Sequence, residues 1–356
     1  MAWTMKYRRW LTALIALMML FLYLGSDASA SLFFQIKPKK PILCIDNSAK
    51  KPAIVNAADS HSTKPFANDT VYFVSYRNKL IRIEIKVSRN LSSDIPRKML
   101  LLLPGWNCAD TQWCTRTTVC SRALRRGYDV MLVEMGKSVY MDSLYPQMRV
   151  DYGEHPTRIW LWDDVLKPLQ LRGYFTATGV PEDPVTLSNG RVVHKSWRLP
   201  IPSFVLGLST GARGALLLAL EHPEAFKGCA GLSGDYNPLL MKSDNLMINC
   251  LGKYDDVPWR WGGTNNIVMR VDSLRVPMYL AHGFNDGIVS WKQTESLLYG
   301  INHSKACQER LVMHAKSHSK ASFVRSEIVR SAGHDYVFWN QAGLKALDYF
   351  DELWPN

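Results

Sequence analysis

The sequence predicts an α/β fold, a mostly parallel central sheet with helices on both faces. Three observations carry this. Residues 98–103 and 203–208 are nearly unbroken apolar runs, the signature of strands buried on both faces. Helical periodicity marks the Ala- and Leu-rich residues 210–220 and a last helix carrying Leu344, Leu347, Phe350 and Leu353. Strand-like and helix-like segments then alternate along the chain, as in a parallel sheet built from crossover units.

The first thirty residues read as an export signal. Lys6, Arg8 and Arg9 precede an uncharged run over residues 11–24, and Ala28-Ser29-Ala30 supplies a small-residue cleavage pattern. A membrane span needs about 20 apolar residues, so this run is short for a permanent anchor. Cleavage after Ala30 and a secreted or periplasmic product are expected, with membrane contact only in transit. An uncleaved anchor over residues 10–25 is the alternative. Residues 31–70, rich in Pro, Lys, Ser and Asn, read as an extended lead-in, and residues 71–356 as one catalytic domain.

Strands are expected over residues 71–76 and 80–87. In the second, Ile81, Ile83, Ile85 and Val87 alternate with polar residues. The strand at 98–103 ends in Pro104-Gly105. A helix over 117–126 and a strand over 129–134 follow. Pro156 suits the first position of a helix running through Ile159, Trp160, Val165 and Leu166 towards Pro168. Residues 172–200 and 235–270 read as irregular insertions. Further strands are expected over 228–233 and 276–281, and Ile328-Val329 is a short apolar pair.

Composition is that of a globular chain: 356 residues, 47% hydrophobic and 21% charged, long enough to bury a large core. The net charge of +12 is spread over scattered basic residues, with no basic run interleaved with aromatics. A solvated basic surface is expected, and no nucleic-acid partner. All seven cysteines (44, 108, 114, 120, 229, 250 and 307) follow the export segment. Disulfides suit an oxidising compartment, and Cys108, Cys114 and Cys120 are the expected place for one. With no C-x₂-C pair and no histidines at finger spacing, no metal site is expected. Sequons at Asn68, Asn90 and Asn302 matter only where exported proteins are glycosylated.

Gly207-Leu208-Ser209-Thr210-Gly211 is a G-x-S-x-G pattern between the strand Phe204-Val205-Leu206 and the helix at 210–220. That context suits a strained turn exposing a serine Oγ, with a helix N-terminus beside the developing oxyanion. A serine needs a base oriented by a third group. Downstream, the strand over 276–281 runs into His282-Gly283-Phe284-Asn285-Asp286, and Gly333-His334-Asp335 follows the apolar pair. Asp286 is the expected acid and His334 the expected base. Asp272 precedes its strand and Asp335 abuts the histidine, so both are weaker candidates. His282 reads as a loop support and His222, before Pro223, as structural. The oxyanion donors are expected to be the backbone N–H groups of Thr210 and Trp106, with Asn107 as the alternative to Trp106.

The order Ser209, Asp286, His334 and five segments resemble the α/β-hydrolase superfamily: LLLPGWN at 101–107, VEMGKSVYMDS at 133–143, GLSTGARGAL at 207–216, AHGFNDGIV at 281–289 and SAGHDY at 331–336. Within it, the chain is similar over roughly residues 95–352 to the esterase group that includes esterase D, feruloyl esterases and the antigen 85 mycolyltransferases. The resemblance implies acyl transfer through Ser209, His334 and Asp286 with no cofactor. Thr210 stands where Met or an aromatic is frequent, and Ala212-Arg213 where a second glycine is common.

A serine esterase acting on a small-molecule, lipid or sugar ester is the leading reading. Acyl transfer to a hydroxyl acceptor, peptidase activity and a catalytically silent binding protein are the others. Trp106, Trp113, Trp259, Trp261 and Trp291 are candidates to line a sugar or aromatic site, or to pack as ordinary core.

Overall fold

Alternating side chains in strands buried on both faces must feed two separate cores, and the strands do so in the computed structural model. It describes residues 65–89, 97–176, 185–186, 192–193, 201–317 and 321–355. The export segment, residues 31–64 of the lead-in and most of the 172–200 insertion lie outside the described residues.

The strands are β1 (Thr70–Tyr76), β2 (Lys79–Lys86), β3 (Lys98–Leu103), β4 (Tyr128–Val133), the short pair β5 (Val185–Thr186) and β6 (Val192–Val193), β7 (Ser203–Leu208), β8 (Gly228–Leu232), β9 (Met278–Gly283) and β10 (Val324–Val329). Eight of them form one sheet in the order β1-β2-β4-β3-β7-β8-β9-β10, while β5 and β6 pair only with each other. β2 is antiparallel to both neighbours, and every other pairing in the large sheet is parallel. The expected α/β architecture is therefore the one observed.

Met99, Leu101 and Leu103 of β3 join Val205, Met278 and Leu280 in one core, against Ala212, Ala215 and Leu216 of the helix Thr210–Glu221. Leu100 and Leu102 join Phe204, Leu206 and Leu232 in the other, against Val119, Ala123, Ala342 and Ala346. The last two belong to the C-terminal helix Tyr336–Leu353. Six wholly buried residues in β3 leave no solvent face, which is why the run lacks polar alternation.

Several elements differ from the sequence reading. β9 starts at Met278 and not at 276, because Pro277 has no N–H to give a ladder. Ile328-Val329 closes a six-residue edge strand whose polar Arg325, Ser326 and Glu327 masked it. Helices Lys292–His303 and Lys305–Lys316 were not expected. Neither has a broad apolar face, and their buried residues reduce to Gln293, Thr294, Leu297, Ile301 and Cys307. Residues 235–270 are less irregular than expected, with helices Asn245–Leu251 and Pro258–Gly262 and 3₁₀ turns Pro238–Met241 and Val268–Ser273. The helix expected after Pro156 begins at Arg158 and widens to π geometry over Leu161–Leu166, just before Pro168 removes one α-type bond. The helix expected over 117–126 is Val119–Arg125, and a short unexpected helix, Gln112–Thr115, precedes it, stapled to it by a Cys114–Cys120 disulfide, with Cys108 free.

Two buried arginines tie the connecting loops together. Arg158 holds Glu221 through two bonds of 2.8 Å and donates to Tyr140 O (3.1 Å) and Asn265 Oδ1 (2.7 Å). Arg213 bonds Asp235 at 3.0 Å and Asn265 O at 2.7 Å. Above them lies a third apolar cluster, where Val139, Met141, Met247, Leu251 and Trp261 pack with the half-buried Trp106, Tyr145 and Tyr152.

Glu134, at the end of β4, is hydrogen-bonded to Asp110, which also accepts from Arg82 Nη1 (2.6 Å) and Thr111 N (2.8 Å). Burial and then the Asp110 carboxyl raise the Glu134 pKa from its ordinary 4.5 to about 7, against the pull of Arg82. The folded chain thus holds a proton that the unfolded chain releases. This contribution is fully present below 4.5 and is lost as pH rises through about 7. Glu134→Gln should leave the melting temperature near wild type at pH 4.5 and raise it above wild type at pH 8. Thermal melts across that range check this, and an offset independent of pH would contradict it.

Candidate active site

The strand-to-helix turn after β7 has no room for side chains. A Cβ on Gly207 would lie 2.0 Å from Gly211 O, and one on Gly211 would lie 2.4 Å from Leu103 O and 2.5 Å from Pro104 O. Both positions therefore require glycine. The turn holds Ser209 at φ 53°, a left-handed conformation rare for a non-glycine residue. It is fixed by Ser209 N–H donating to Leu232 O (2.8 Å) and by Ala212 N–H donating to Ser209 O (2.9 Å). The side chain faces the carboxyl ends of the parallel strands and is 7% exposed.

Asp286 and His334 come from the loops after β9 and β10. His334 Nε2 is 3.0 Å from Ser209 Oγ, and its Nδ1 is 2.7 Å from Asp286 Oδ2. An ionised carboxylate only accepts, so Nδ1 carries the proton and Nε2 accepts from the serine hydroxyl. Asp286 Oδ1 accepts from Ile288 N (3.0 Å) and Val289 N (2.8 Å). Burial alone would raise this carboxyl. His334 and the two backbone donors outweigh it and hold the pKa below the ordinary carboxylate value.

The competing residues have other partners. Asp335 caps the C-terminal helix by accepting from Phe338 N (2.9 Å), and Asp272 accepts from the Ser304 hydroxyl. His282 is fully buried. Its Nε2–H donates to Val289 O (2.8 Å) and its Nδ1 accepts from Thr294 Oγ1 (2.8 Å). Burial pushes its pKa down, so it stays neutral and steadies the strand-to-loop turn that carries Asp286. His222 stacks on Trp162 with ring centroids 3.5 Å apart.

The turn after β3 passes beside the serine. A Cβ on Gly105 would lie 3.0 Å from Ser209 Cβ, and Tyr140 OH donates to Pro104 O (2.8 Å). Asn107 N–H is committed to Gly136 O (2.8 Å), whereas among the described residues the N–H groups of Trp106 and Thr210 have no acceptor. The sequence reading missed Trp339, whose ring meets His334 edge-on at 4.9 Å while its Nε1–H donates to Ser233 Oγ (3.1 Å). One turn of helix separates it from His334, but nothing in the aromatic run at 336–339 singled it out.

Trp113 and Trp261 are core residues, with Nε1–H donating to Leu103 O (3.0 Å) and Gly252 O (3.1 Å). Trp291 stacks on Phe284, Trp259 is exposed, and Trp106 meets Tyr152 edge-on at 4.7 Å. Among the described residues, no group of His, Cys, Asp and Glu is arranged to hold a metal, and no helix is long and apolar enough to cross a membrane.

No curated protein matches the sequence. The family model described as "Putative esterase" matches residues 188–348. FphF of Staphylococcus aureus, a fluorophosphonate-binding serine hydrolase, is similar in structure with a TM-score of 0.51 and 13% identity, over 81% of this chain and 99% of that one. An S-formylglutathione hydrolase from Agrobacterium tumefaciens gives 0.53 and 14%, over 80% and 94%. MPT51 (FbpC1) of Mycobacterium tuberculosis gives 0.51 and 14%, over 81% and 100%. At these identities the likeness is one of fold. The family match takes in Ser209, Asp286 and His334, so this part of the chain is similar to that esterase family, and the chain shares the fold of these hydrolase structures.

Proposed function

We propose that the protein is a serine esterase that cleaves a carboxylic ester through an acyl-enzyme on Ser209. The observation that carries this is the hydrogen-bonded chain Ser209–His334–Asp286, with the serine on a strained turn at the strand ends. His334 Nε2 takes the hydroxyl proton as Oγ attacks the ester carbonyl. Asp286, held ionised, stabilises the imidazolium. The tetrahedral oxyanion takes the two uncommitted N–H groups of Trp106 and Thr210, the second at a helix N-terminus. His334 returns the proton to the departing alcohol. It then activates a water that attacks the acyl carbonyl and frees Ser209. No step calls for a cofactor. The substrate is a small-molecule ester.

The chain is proposed to be an exported protein. Residues 1–30 support this, and so does a disulfide at Cys114–Cys120, a bond at home in oxidising compartments.

Ser209→Ala and His334→Ala should each lower kcat for a p-nitrophenyl ester by about 10⁶-fold, and the double variant should be no worse than either, since the pair acts as one unit. Steady-state kinetics on the three variants test this; additive losses would remove the pair from a common step. A fluorophosphonate probe should label the wild type at Ser209 and leave Ser209→Ala unlabelled. Asp286→Asn should be milder, about 10⁴-fold in kcat with KM little changed, because the acid makes no bond to substrate. Loss of substrate binding as large as the loss of kcat would argue for a structural role instead. N-terminal sequencing of the exported protein should begin at Ser31, and a full-length chain in the membrane fraction would establish the anchor.

A further inference from the structure

A groove of about 390 Å³ lies between the β1–β2 turn and residues 144–154, and neither the esterase reading nor the fold assigns it a role. Its lining includes Arg77, Lys79, Tyr145, Met148, Arg149 and Glu154. We propose that it is the subsite for an anionic group, a carboxylate or a phosphate, carried by the ester substrate at the end remote from the scissile bond. The proposal rests on the esterase reading for its substrate and on the groove's own charge for its ligand.

Three cations, Arg77, Lys79 and Arg149, and one carboxylate, Glu154, line the groove. Lys79 pairs with Glu154 at 2.5 Å, and Asp151 is shared between Arg149 (2.7 Å) and Lys137 (3.4 Å). Arg77 has no carboxylate partner among the described residues. Its Nη1 donates to Gly153 O (3.0 Å), which fixes the guanidinium at the groove and leaves further N–H groups free. The Lys79–Glu154 pair is half-exposed on both sides, and such a pair contributes little, so an incoming anion displaces Glu154 from Lys79 at small cost. Leu144, Met148 and Val150 supply apolar wall for the chain that carries the anion.

The groove is joined to the serine by contiguous groups. Gly105 abuts Ser209, and Trp106 follows it in the chain. The Trp106 ring meets Tyr152 at 4.7 Å, and the Arg149 guanidinium covers Tyr152 at 5.2 Å. A substrate whose carbonyl oxygen sits on the Trp106 N–H can therefore run along Trp106 and Tyr152 to reach Arg149 and Arg77. Two rings lie between, so the anion belongs several bonds from the ester.

The test compares p-nitrophenyl monoesters of dicarboxylic acids of increasing length with neutral p-nitrophenyl alkanoates of equal length, on the full chain and on Arg77→Gln, Arg149→Gln and the double variant. Wild type should prefer the monoanion by about tenfold or more in kcat/KM at one of the longer spacers, the value of a charged hydrogen bond. That preference should shrink in about 0.5 M salt and vanish in the double variant, while rates on neutral esters and the melting temperature stay unchanged. Inorganic phosphate and acetate as competitors at equal ionic strength tell a phosphate site from a carboxylate site. No preference at any length, or one that survives both substitutions, overturns the proposal and leaves the esterase reading standing. If wild type cleaves neither series, the esterase reading fails. Calorimetry of monomethyl sebacate against Ser209→Ala then decides the groove: binding lost with Arg77 and Arg149 supports an anion site, and no binding refutes it.

Discussion

The backbone crossing of Gly207 and Gly211 sets the position of Ser209 and of the turn after β3 beside it. Where one α-carbon rests against the other residue's carbonyl, strand β7 and the helix after it can meet only at a fixed spacing. Gly211 in turn rests on the carbonyls of Leu103 and Pro104, so the same crossing locates the turn after β3. The left-handed Ser209 is the residue left to absorb the bend. A conformation of this kind costs on the order of 1–3 kcal/mol and persists only where the surroundings over-determine it. Here they do: β7 is buried between two cores and the helix beyond it is packed along most of its length.

The other half of the site is held by a different means. Asp286 and His334 sit on loops after the last two strands of the sheet, and β10 is a half-exposed edge. Close packing is replaced there by saturation of hydrogen-bonding groups. His282 occupies Val289 O, Val289 and Ile288 N–H occupy one Asp286 oxygen, and His334 occupies the other. Asp335 caps the helix whose Trp339 bears on the imidazole. The loop that carries Asp286 is thus positioned by hydrogen bonds that hold the carboxylate ionised.

The fold and the three site side chains were legible because each leaves a local trace. A strand buried on both faces has no polar positions, and a serine on a strained turn must have small neighbours at fixed offsets. The edge strand β10 and the two helices at 292–316 leave no such trace, since most of their residues are polar, and the first helix buries Gln293 and Thr294 beside Leu297 and Ile301. That the Asn107 N–H is already committed was not legible either. It depends on Gly136, whose carbonyl takes the Asn107 N–H, a contact between residues that no spacing rule connects. Trp339 was hidden for a similar reason: its partners Ser233 and His334 lie on two different loops.

Arg158 has a consequence for how such a protein can change. Its guanidinium is 1% exposed and joins three separate pieces of chain: the loop through Tyr140, the end of the helix Thr210–Glu221 at Glu221, and the 235–270 segment at Asn265. Glu221 keeps the charge paired, but a buried guanidinium N–H left without its acceptor costs about 1–3 kcal/mol, a sizeable share of the stability of an ordinary domain. Neither the loop through Tyr140 nor the segment through Asn265 is therefore an independent module. Exchanging one while keeping the other leaves a buried Arg158 N–H in want of an acceptor, so the two loops are best grafted as a matched set.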